Sequence, residues 1–88
     1  MQNDYSYRAD SAQLPAHRPS MQAVDSSQIE SIGYDAINQI LYIAFKNTNS
    51  TYAYLEFPLA KWAEFVAAES KGKFMNAEIR NKFKYKKV

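Results

Sequence analysis

The chain has 88 residues, a formal net charge of +2 and no cysteine. A chain of this length holds at most one domain with a thin core, which leaves little room for an elaborate catalytic scaffold. The lack of cysteine excludes disulfides, thiolate zinc sites, iron–sulfur clusters and thiol nucleophiles. With 47% hydrophobic residues, including seven Tyr and five Phe, the chain is expected to fold.

The charges are distributed unevenly. Residues 1–70 hold four basic and eight acidic residues, a net charge of −4. Residues 71–88 hold seven basic residues and one acidic residue, a net charge of +6. This split predicts an electrostatic contact surface at the C-terminal end, and a solvated tail that aids solubility is the alternative.

Residues 1–23 are predicted to form a flexible N-terminal arm. They are rich in Gln, Ser, Asp, Asn and Pro, and Pro15 and Pro19 disfavour regular structure. The segment has neither the basic nor the apolar region of a secretory signal, and no stretch has the length and apolarity of a membrane span. We therefore expect a folded domain over residues 24–88, in the cytoplasm and without a membrane partner.

The first predicted strand covers residues 27–35. Its β-branched and aromatic residues favour a strand. Ile29 and Ile32 interrupt strict alternation, which predicts a bulge at Gly33.

Two further strands are predicted over residues 40–46 and 51–57, joined by the polar turn NTNS. Alternation within each strand sorts the side chains into two faces. The face toward the helices is predicted to hold Leu41, Ile43, Phe45, Leu55 and Phe57. The opposite face is predicted to hold Tyr42, Tyr52 and Tyr54.

Two helices are predicted to follow Pro58, which suits a first helical turn. The apolar stripe of the first helix is Leu59, Trp62, Phe65 and Val66. Gly72 is predicted to end this helix in a left-handed conformation. A second helix over residues 74–83 would bury Met75, Ile79 and Phe83, with residues 83–87 as a short extended end in the alternative. The predicted fold is α+β: a small antiparallel three-stranded sheet followed by two helices packed on one face, β-β-β-α-α.

Several segments carry a family resemblance when taken together. They are VDSSQIESIGYD at residues 24–35, LYIAF at 41–45, YAY at 52–54, FP at 57–58 and SKGKFMNAEIRNKF at 70–83. This combination resembles the KTSC domain, named for its occurrence at the C-terminus of some lysyl-tRNA synthetases and found alone in bacteria and phages. The family's hairpin usually carries a glycine before the YxY strand, where this chain has NTNS, so the turn type stays open. The resemblance implies a domain without an established role, for which RNA binding is a suggestion from the synthetase context, and it implies no aminoacylation.

The tyrosine face is the first candidate site. Tyr42, Tyr52 and Tyr54 on one side of a small sheet would form a stacking platform for unpaired bases. The alternative is a packing face, covered by a second copy in a homodimer, by another protein or by the arm.

The second candidate is the run Ser70-Lys71-Gly72-Lys73, followed by Asn76 and Arg80. Free N–H groups at a helix start favour an anion, with Lys71 and Lys73 beside it and Arg80 adding a forked contact to phosphate. The spacing differs from that of a P-loop. The alternative is that Gly72 breaks the helix and Asn76 caps the next one.

The lysine-rich end is the third candidate. Lys82, Lys84 and Lys86 alternate with Phe83 and Tyr85, a pattern compatible with phosphate contacts and base stacking. A basic solvated terminus is the alternative.

Catalysis finds little support in the sequence. His17, the one histidine, lies between prolines in the predicted arm, and His, Asp and Glu show no metal-ligand spacing. We expect no enzymatic activity, catalytic residue, metal or cofactor. The hypothesis is a module that binds RNA or other single-stranded nucleic acid through Lys71, Gly72, Lys73, Arg80, Lys82, Lys84, Lys86, Tyr52 and Tyr54. The alternatives are a protein-interaction or homo-oligomerisation module of bacterial or phage origin, and a binder of a small phosphorylated ligand.

Overall fold

The computed structural model describes residues 7–88, so residues 1–6 of the predicted arm lie outside the described part. Its strands are β1 (Gln22–Ala23), β2 (Ile29–Asp35), β3 (Ile40–Phe45), β4 (Thr51–Tyr54) and β5 (Tyr85–Lys87). Its helices are α1 (Leu59–Ala67) and α2 (Lys71–Phe74), and α2 continues into a π-helix (Met75–Ile79).

The strands form one antiparallel sheet in the order β1-β2-β3-β4-β5. The predicted α+β class, with an antiparallel sheet and two helical segments, is confirmed. The predicted number of three strands is wrong. β1 and β5 add a short strand at each edge. Two residues are too few to show an alternating pattern in β1, whereas β5 lies within the extended end that was the alternative for residues 83–87.

The prediction of a β-bulge at Gly33 is wrong. The pairing of β2 with β3 shifts between Ile29 and Ser31, whereas Gly33 pairs regularly with Tyr42. A glycine is required at position 33 because a Cβ atom there would lie 2.7 Å from the backbone oxygen of Ser20. The chain before β1 therefore crosses the sheet in direct contact with this glycine.

The tyrosines of β4 face the helices. Partners across an antiparallel pair share one face of the sheet. Tyr54 lies opposite Leu41, and Tyr52 lies opposite Ile43. The prediction that Tyr52 and Tyr54 point away from the helices is therefore wrong. The main core contains Ile29, Ile32, Leu41, Ile43, Tyr54, Phe57, Phe65, Met75 and Ile79.

β4 ends at Tyr54 rather than continuing to Phe57. Glu56 adopts a left-handed conformation with φ of 52°, which turns the chain out of the strand. Leu55, two residues after Ala53, packs on the same outer face by ordinary alternation, against the prediction. The turn at Glu56 then returns Phe57 to the main core, as predicted.

Only two of the four apolar residues predicted to pack α1 against the core do so. Phe65 is fully buried, and the half-buried Trp62 stacks on Tyr34 with ring centroids 5.3 Å apart. Leu59 and Val66 keep 59% and 41% of their surface exposed. α1 is thus a peripheral helix that contacts the core along a narrow edge.

Gly72 does not end α1 and has no positive φ. α1 ends at Ala67, and Gly72 lies within α2. Ser70, rather than Asn76, caps α2, because its Oγ accepts a hydrogen bond from the Lys73 N–H at 3.2 Å. Among residues 7–88, no helix is long and apolar enough to cross a membrane.

A second, smaller core lies on the outer face of the sheet, the face turned away from the helices. It contains Ile40, Tyr42 and Ala53, against which Leu14, Leu55 and Val88 pack. Tyr42 therefore points away from the helices as predicted, but it is fully buried. The described part of residues 1–23 covers it, and the flexibility predicted for this segment stays a prediction.

Candidate functional site

A pocket of about 510 Å³ lies between the π-helix and the inner face of β4 and β5, the face turned toward the helices. Its lining residues are Gln28, Phe45, Asn47, Thr48, Tyr52, Tyr54, Met75, Asn76, Arg80, Asn81 and Tyr85. The volume is within the range of pockets that hold small ligands. We define these residues as the aromatic pocket.

Tyrosine rings form one wall of the aromatic pocket. Tyr52 and Tyr85 meet edge to face with centroids 5.5 Å apart, and Phe45 packs against Tyr52 at 5.8 Å. Tyr54 is only 5% exposed, so its ring offers little open surface to the pocket. Of the tyrosines predicted to stack on bases, Tyr52 therefore has the more accessible ring, and Tyr85 lies beside it.

The π-helix supplies the polar side of the aromatic pocket. The Arg80 N–H donates to the Met75 oxygen at 2.8 Å, a bond spanning five residues. This spacing lets the buried Met75 and the exposed Arg80 line the same pocket. Asn81 follows with φ of 60°, a left-handed conformation that asparagine adopts more readily than most residues. π-helical turns are rare and frequently occur at functional sites.

The aromatic pocket carries the positive charge of Arg80. Among residues 7–88, no Asp or Glu lines it, and the Arg80 guanidinium makes no ion pair with a described residue. Four amide side chains, those of Gln28, Asn47, Asn76 and Asn81, offer both donors and acceptors. The pocket is therefore suited to a planar polar group attached to an anion.

A second pocket of about 410 Å³ shares Gln28 and Asn76 with the aromatic pocket. Lys71, Gly72 and Lys73 line it together with the carboxylate residues Asp25 and Glu69. Arg80 lines the aromatic pocket instead, so the predicted anion site is divided between the two pockets. Lys71 is already engaged, because its Nζ donates to the carbonyl oxygens of Val66 and Ala68 at 3.1 and 2.6 Å. Of the two lysines, only Lys73 is exposed.

The lysines of the C-terminal end do not form one surface. Lys86 lies opposite Ala53, on the outer face, and its Nζ donates to the Ala12 oxygen at 2.8 Å. Lys82 and Lys84 are exposed in the segment before β5. Lys87, which the sequence hypothesis omitted, is the partner of Tyr52 and thus shares the inner face.

Comparisons with known proteins identify the family. Residues 25–83, about two thirds of the chain, match the KTSC domain family. The chain belongs to the KTSC domain family. A protein from Tsukamurella paurometabola is 42% identical over 64 residues, which are 73% of this chain and 94% of that protein. The crystal structure of a KTSC domain protein from Yersinia pestis superposes with a TM-score of 0.77 at 41% identity, covering 81% of this chain and 99% of that one.

Four polar residues line the aromatic pocket of this KTSC domain but were not candidates in the sequence: Gln28, Asn47, Thr48 and Asn81. They lie in turns or at element ends, where polar residues are ordinary and give no separate signal. Among the described residues, His, Cys, Asp and Glu form no group of three that could hold a metal ion.

Proposed function

We propose that this KTSC domain is a non-enzymatic cytoplasmic module that binds single-stranded RNA and holds one unstacked nucleotide in the aromatic pocket. The observation that supports the proposal is the composition of the pocket: tyrosine rings, amide side chains and the Arg80 guanidinium, with no described carboxylate among them.

Each group in the pocket matches one part of a nucleotide. A base stacked on an aromatic ring contributes about 1–3 kcal/mol whatever its identity, and Tyr52 and Tyr85 offer such rings. Amide groups hydrogen-bond to the edges of unpaired bases. A guanidinium binds phosphate through two parallel hydrogen bonds, the role assigned here to Arg80.

Neighbouring cations extend the contact beyond one nucleotide. Lys73 lies in the second pocket, which adjoins the first through Gln28 and Asn76, and Lys82 is exposed two residues after Arg80. Neither lysine makes an ion pair with a described residue. Lys71 and Lys86 are assigned structural roles instead, because both ammonium groups bond to backbone oxygens. RNA is preferred to DNA because of the family's occurrence in lysyl-tRNA synthetases.

Fluorescence anisotropy of a labelled single-stranded RNA at increasing salt tests the proposal. With three cations on phosphates, the slope of log affinity against log salt is expected to be about −2, at roughly −0.7 per phosphate on a single strand. Arg80→Gln is expected to weaken binding and to reduce the slope by about 0.7. Arg18→Gln removes the same charge from the outer face and is the matched control.

Three results would contradict the proposal. The first is the absence of saturable binding at about 50 mM salt. The second is an equal loss of affinity in Arg80→Gln and Arg18→Gln. The third is binding of free mononucleotides as tight as that of RNA, which would assign the pocket to a small phosphorylated ligand.

A further inference from the structure

The second pocket lies between the loop that precedes β2 and the turn that joins α1 to α2. Each segment carries one acidic residue, Asp25 or Glu69, directly before a serine. The hydroxyl oxygens of these serines, Ser26 and Ser70, accept hydrogen bonds from the N–H groups three residues further on, at 3.1 and 3.2 Å. Local hydrogen bonds therefore fix the backbone beside both acidic residues, and both residues line one pocket.

The two carboxylates of the second pocket are available to accept hydrogen bonds from a ligand. Neither Asp25 nor Glu69 forms an ion pair with a residue in the range 7–88, and both are exposed. Of the two lysines in the lining, Lys71 is bonded to carbonyl oxygens, whereas Lys73 is exposed and stays available to a phosphate of the strand. Two carboxylates would repel a phosphate placed between them, and they favour a neutral group with N–H donors.

The second pocket and the aromatic pocket have a wall in common. Two amide side chains, those of Gln28 and Asn76, line both pockets. The Gln28 side chain lies over Gly72, where an added Cβ atom would be 3.2 Å from the Gln28 Oε1. Because the pockets adjoin, a strand that places one base in the aromatic pocket brings a neighbouring base to the second pocket.

Guanine is the base whose edge fits the second pocket best. The N1–H and N2–H2 donors of an unpaired guanine are adjacent, and the two oxygens of a carboxylate accept both. The O6 acceptor beside these donors matches the NH2 group of Gln28 or Asn76. Cytosine and adenine present one amino donor each on this edge, and uracil presents a single N–H between two oxygens that a carboxylate repels. Guanine is therefore expected to bind in preference to the other three bases.

We propose that the second pocket holds an unpaired guanine next to the nucleotide in the aromatic pocket, with the carboxylates of Asp25 and Glu69 as acceptors for its N1–H and N2–H2 donors. The inference rests on the proposed function, because it assigns a sequence preference to the RNA bound there. The aromatic pocket accepts any base by stacking, whereas the second pocket distinguishes the neighbouring base through its edge.

Competition measured by fluorescence anisotropy tests this preference. The competitors are a short RNA of uridines alone and the same RNA with one central guanosine, inosine, adenosine or cytidine. The single guanosine is expected to strengthen binding about tenfold, as for one bidentate base contact. Inosine, which keeps N1–H but lacks the N2 amino group, is expected to lose most of this gain. Adenosine and cytidine are expected to gain less than about threefold.

The double variant Asp25→Asn with Glu69→Gln assigns the preference to the second pocket. It is expected to reduce the guanosine gain below about threefold. Its affinity for the RNA of uridines should stay equal or rise, because two negative charges near the phosphates are removed. A purely structural role of the two residues would instead weaken the binding of both RNAs. The matched control is Glu30→Gln with Glu56→Gln, which removes the same charge at exposed positions outside both pockets and should keep the full gain.

Nuclear magnetic resonance of the natural protein gives a second readout that needs no variant. Of the two pockets, Gly72 lines the second alone. Its amide signal is expected to shift on titration with guanosine and to stay in place on titration with uridine.

The outcomes separate this inference from the proposed function. If the RNA of uridines binds through Arg80 but gains nothing from guanosine, the guanine pocket is overturned and the proposed function stands. The guanine pocket is also overturned by a guanosine gain that persists in the double variant, or by a Gly72 signal that does not respond to guanosine. Absence of binding to every one of the RNAs overturns both.

Discussion

Tyr52 lies directly opposite Ile43 across the β3–β4 pair, so its ring is on the helix side of the sheet. The ring of Tyr85 is 5.5 Å away on the same side. Instead of an open platform for several bases, the two tyrosines form one wall of a pocket beneath the π-helix. The aromatic contact area therefore suits one planar group rather than a stack of bases.

The two tyrosines of β4 are expected to differ in their contribution to stability. Tyr54→Ala should lower the free energy of unfolding by about 3–5 kcal/mol, as for other buried aromatic residues. Tyr52→Ala should cost about 1–2 kcal/mol, because its ring is half-buried. Urea denaturation measures both changes, and equally small losses would contradict the inward orientation of Tyr54.

The hydroxyl groups of Tyr34 and Tyr42 differ in their hydrogen bonding, so their removal is expected to have opposite effects on stability. The Tyr34 hydroxyl donates to the Phe57 oxygen, so Tyr34→Phe is expected to destabilise the protein by about 1 kcal/mol. Tyr42→Phe is expected to be neutral or stabilising, because it removes a buried hydroxyl that has no partner among the described residues. Thermal unfolding of the two variants would rule out this assignment if Tyr42→Phe were the more destabilised.

Asp35 should make stability depend on acid pH. Hydrogen bonds from Asn38, at 2.9 Å from the side chain and 3.1 Å from the backbone, hold the pKa of Asp35 below its ordinary value of 3.8. A lowered pKa in the folded state means that the carboxylate stabilises the fold above pH 3.8. This stabilisation disappears as the pH falls through the folded-state pKa.

Asp35→Asn is therefore expected to be less stable than the natural chain at pH 7, by about 1 kcal/mol for one lost charged hydrogen bond at the surface. The difference should shrink as the pH falls below 3.8, which urea denaturation across this range would measure. In the background of Asn38→Ala, which removes the largest contribution to the lowered pKa, the pH-dependent part should be smaller. A difference that grows on acidification would contradict the assignment.

Lys71 and Lys73 are expected to have separate roles although they are two residues apart. Lys71→Met should lower stability by about 1 kcal/mol, because its ammonium group bonds to two carbonyl oxygens at the end of α1. Lys73→Met should change stability by less than about 0.5 kcal/mol, since its side chain is exposed. For RNA affinity the order should reverse, and anisotropy with both variants would show whether it does.

Much of the fold follows from the local sequence. β3 was predicted within one residue because Leu41, Ile43 and Phe45 alternate with less apolar neighbours. The NTNS turn was also correct: the Phe45 N–H donates to the Ser50 oxygen at 2.8 Å. These features depend on neighbouring residues alone, which is why periodicity and turn composition suffice.

The length of the turn between β3 and β4 determines which side chains of the two strands share a face. Phe45 and Ser50 are bonded across four intervening residues, so odd-numbered positions of β3 lie opposite even-numbered positions of β4. Tyr52 and Tyr54 must therefore share the face of Ile43 and Leu41. Counting residues across the predicted turn would have placed both tyrosines correctly. The prediction instead turned the alternate, more apolar set with Leu55 and Phe57 toward the helices, which left the tyrosines on the outer face.

Two other features had no usable signal in the sequence. Residues 8–21 offer Leu14 as their main apolar contact, and the position of this segment depends on an outer face assembled from β3 and β4. The π-helix likewise differs from an α-helix by one residue, a difference that apolar spacing over five positions does not resolve.

The π-helical turn makes the aromatic pocket sensitive to chain length. With one residue fewer between Met75 and Arg80, the same stretch would close as an ordinary α-helical turn. The side chain at the end would then rotate by about 100° around the helix axis. A single-residue deletion here would therefore move the guanidinium out of the pocket while leaving an arginine in the sequence.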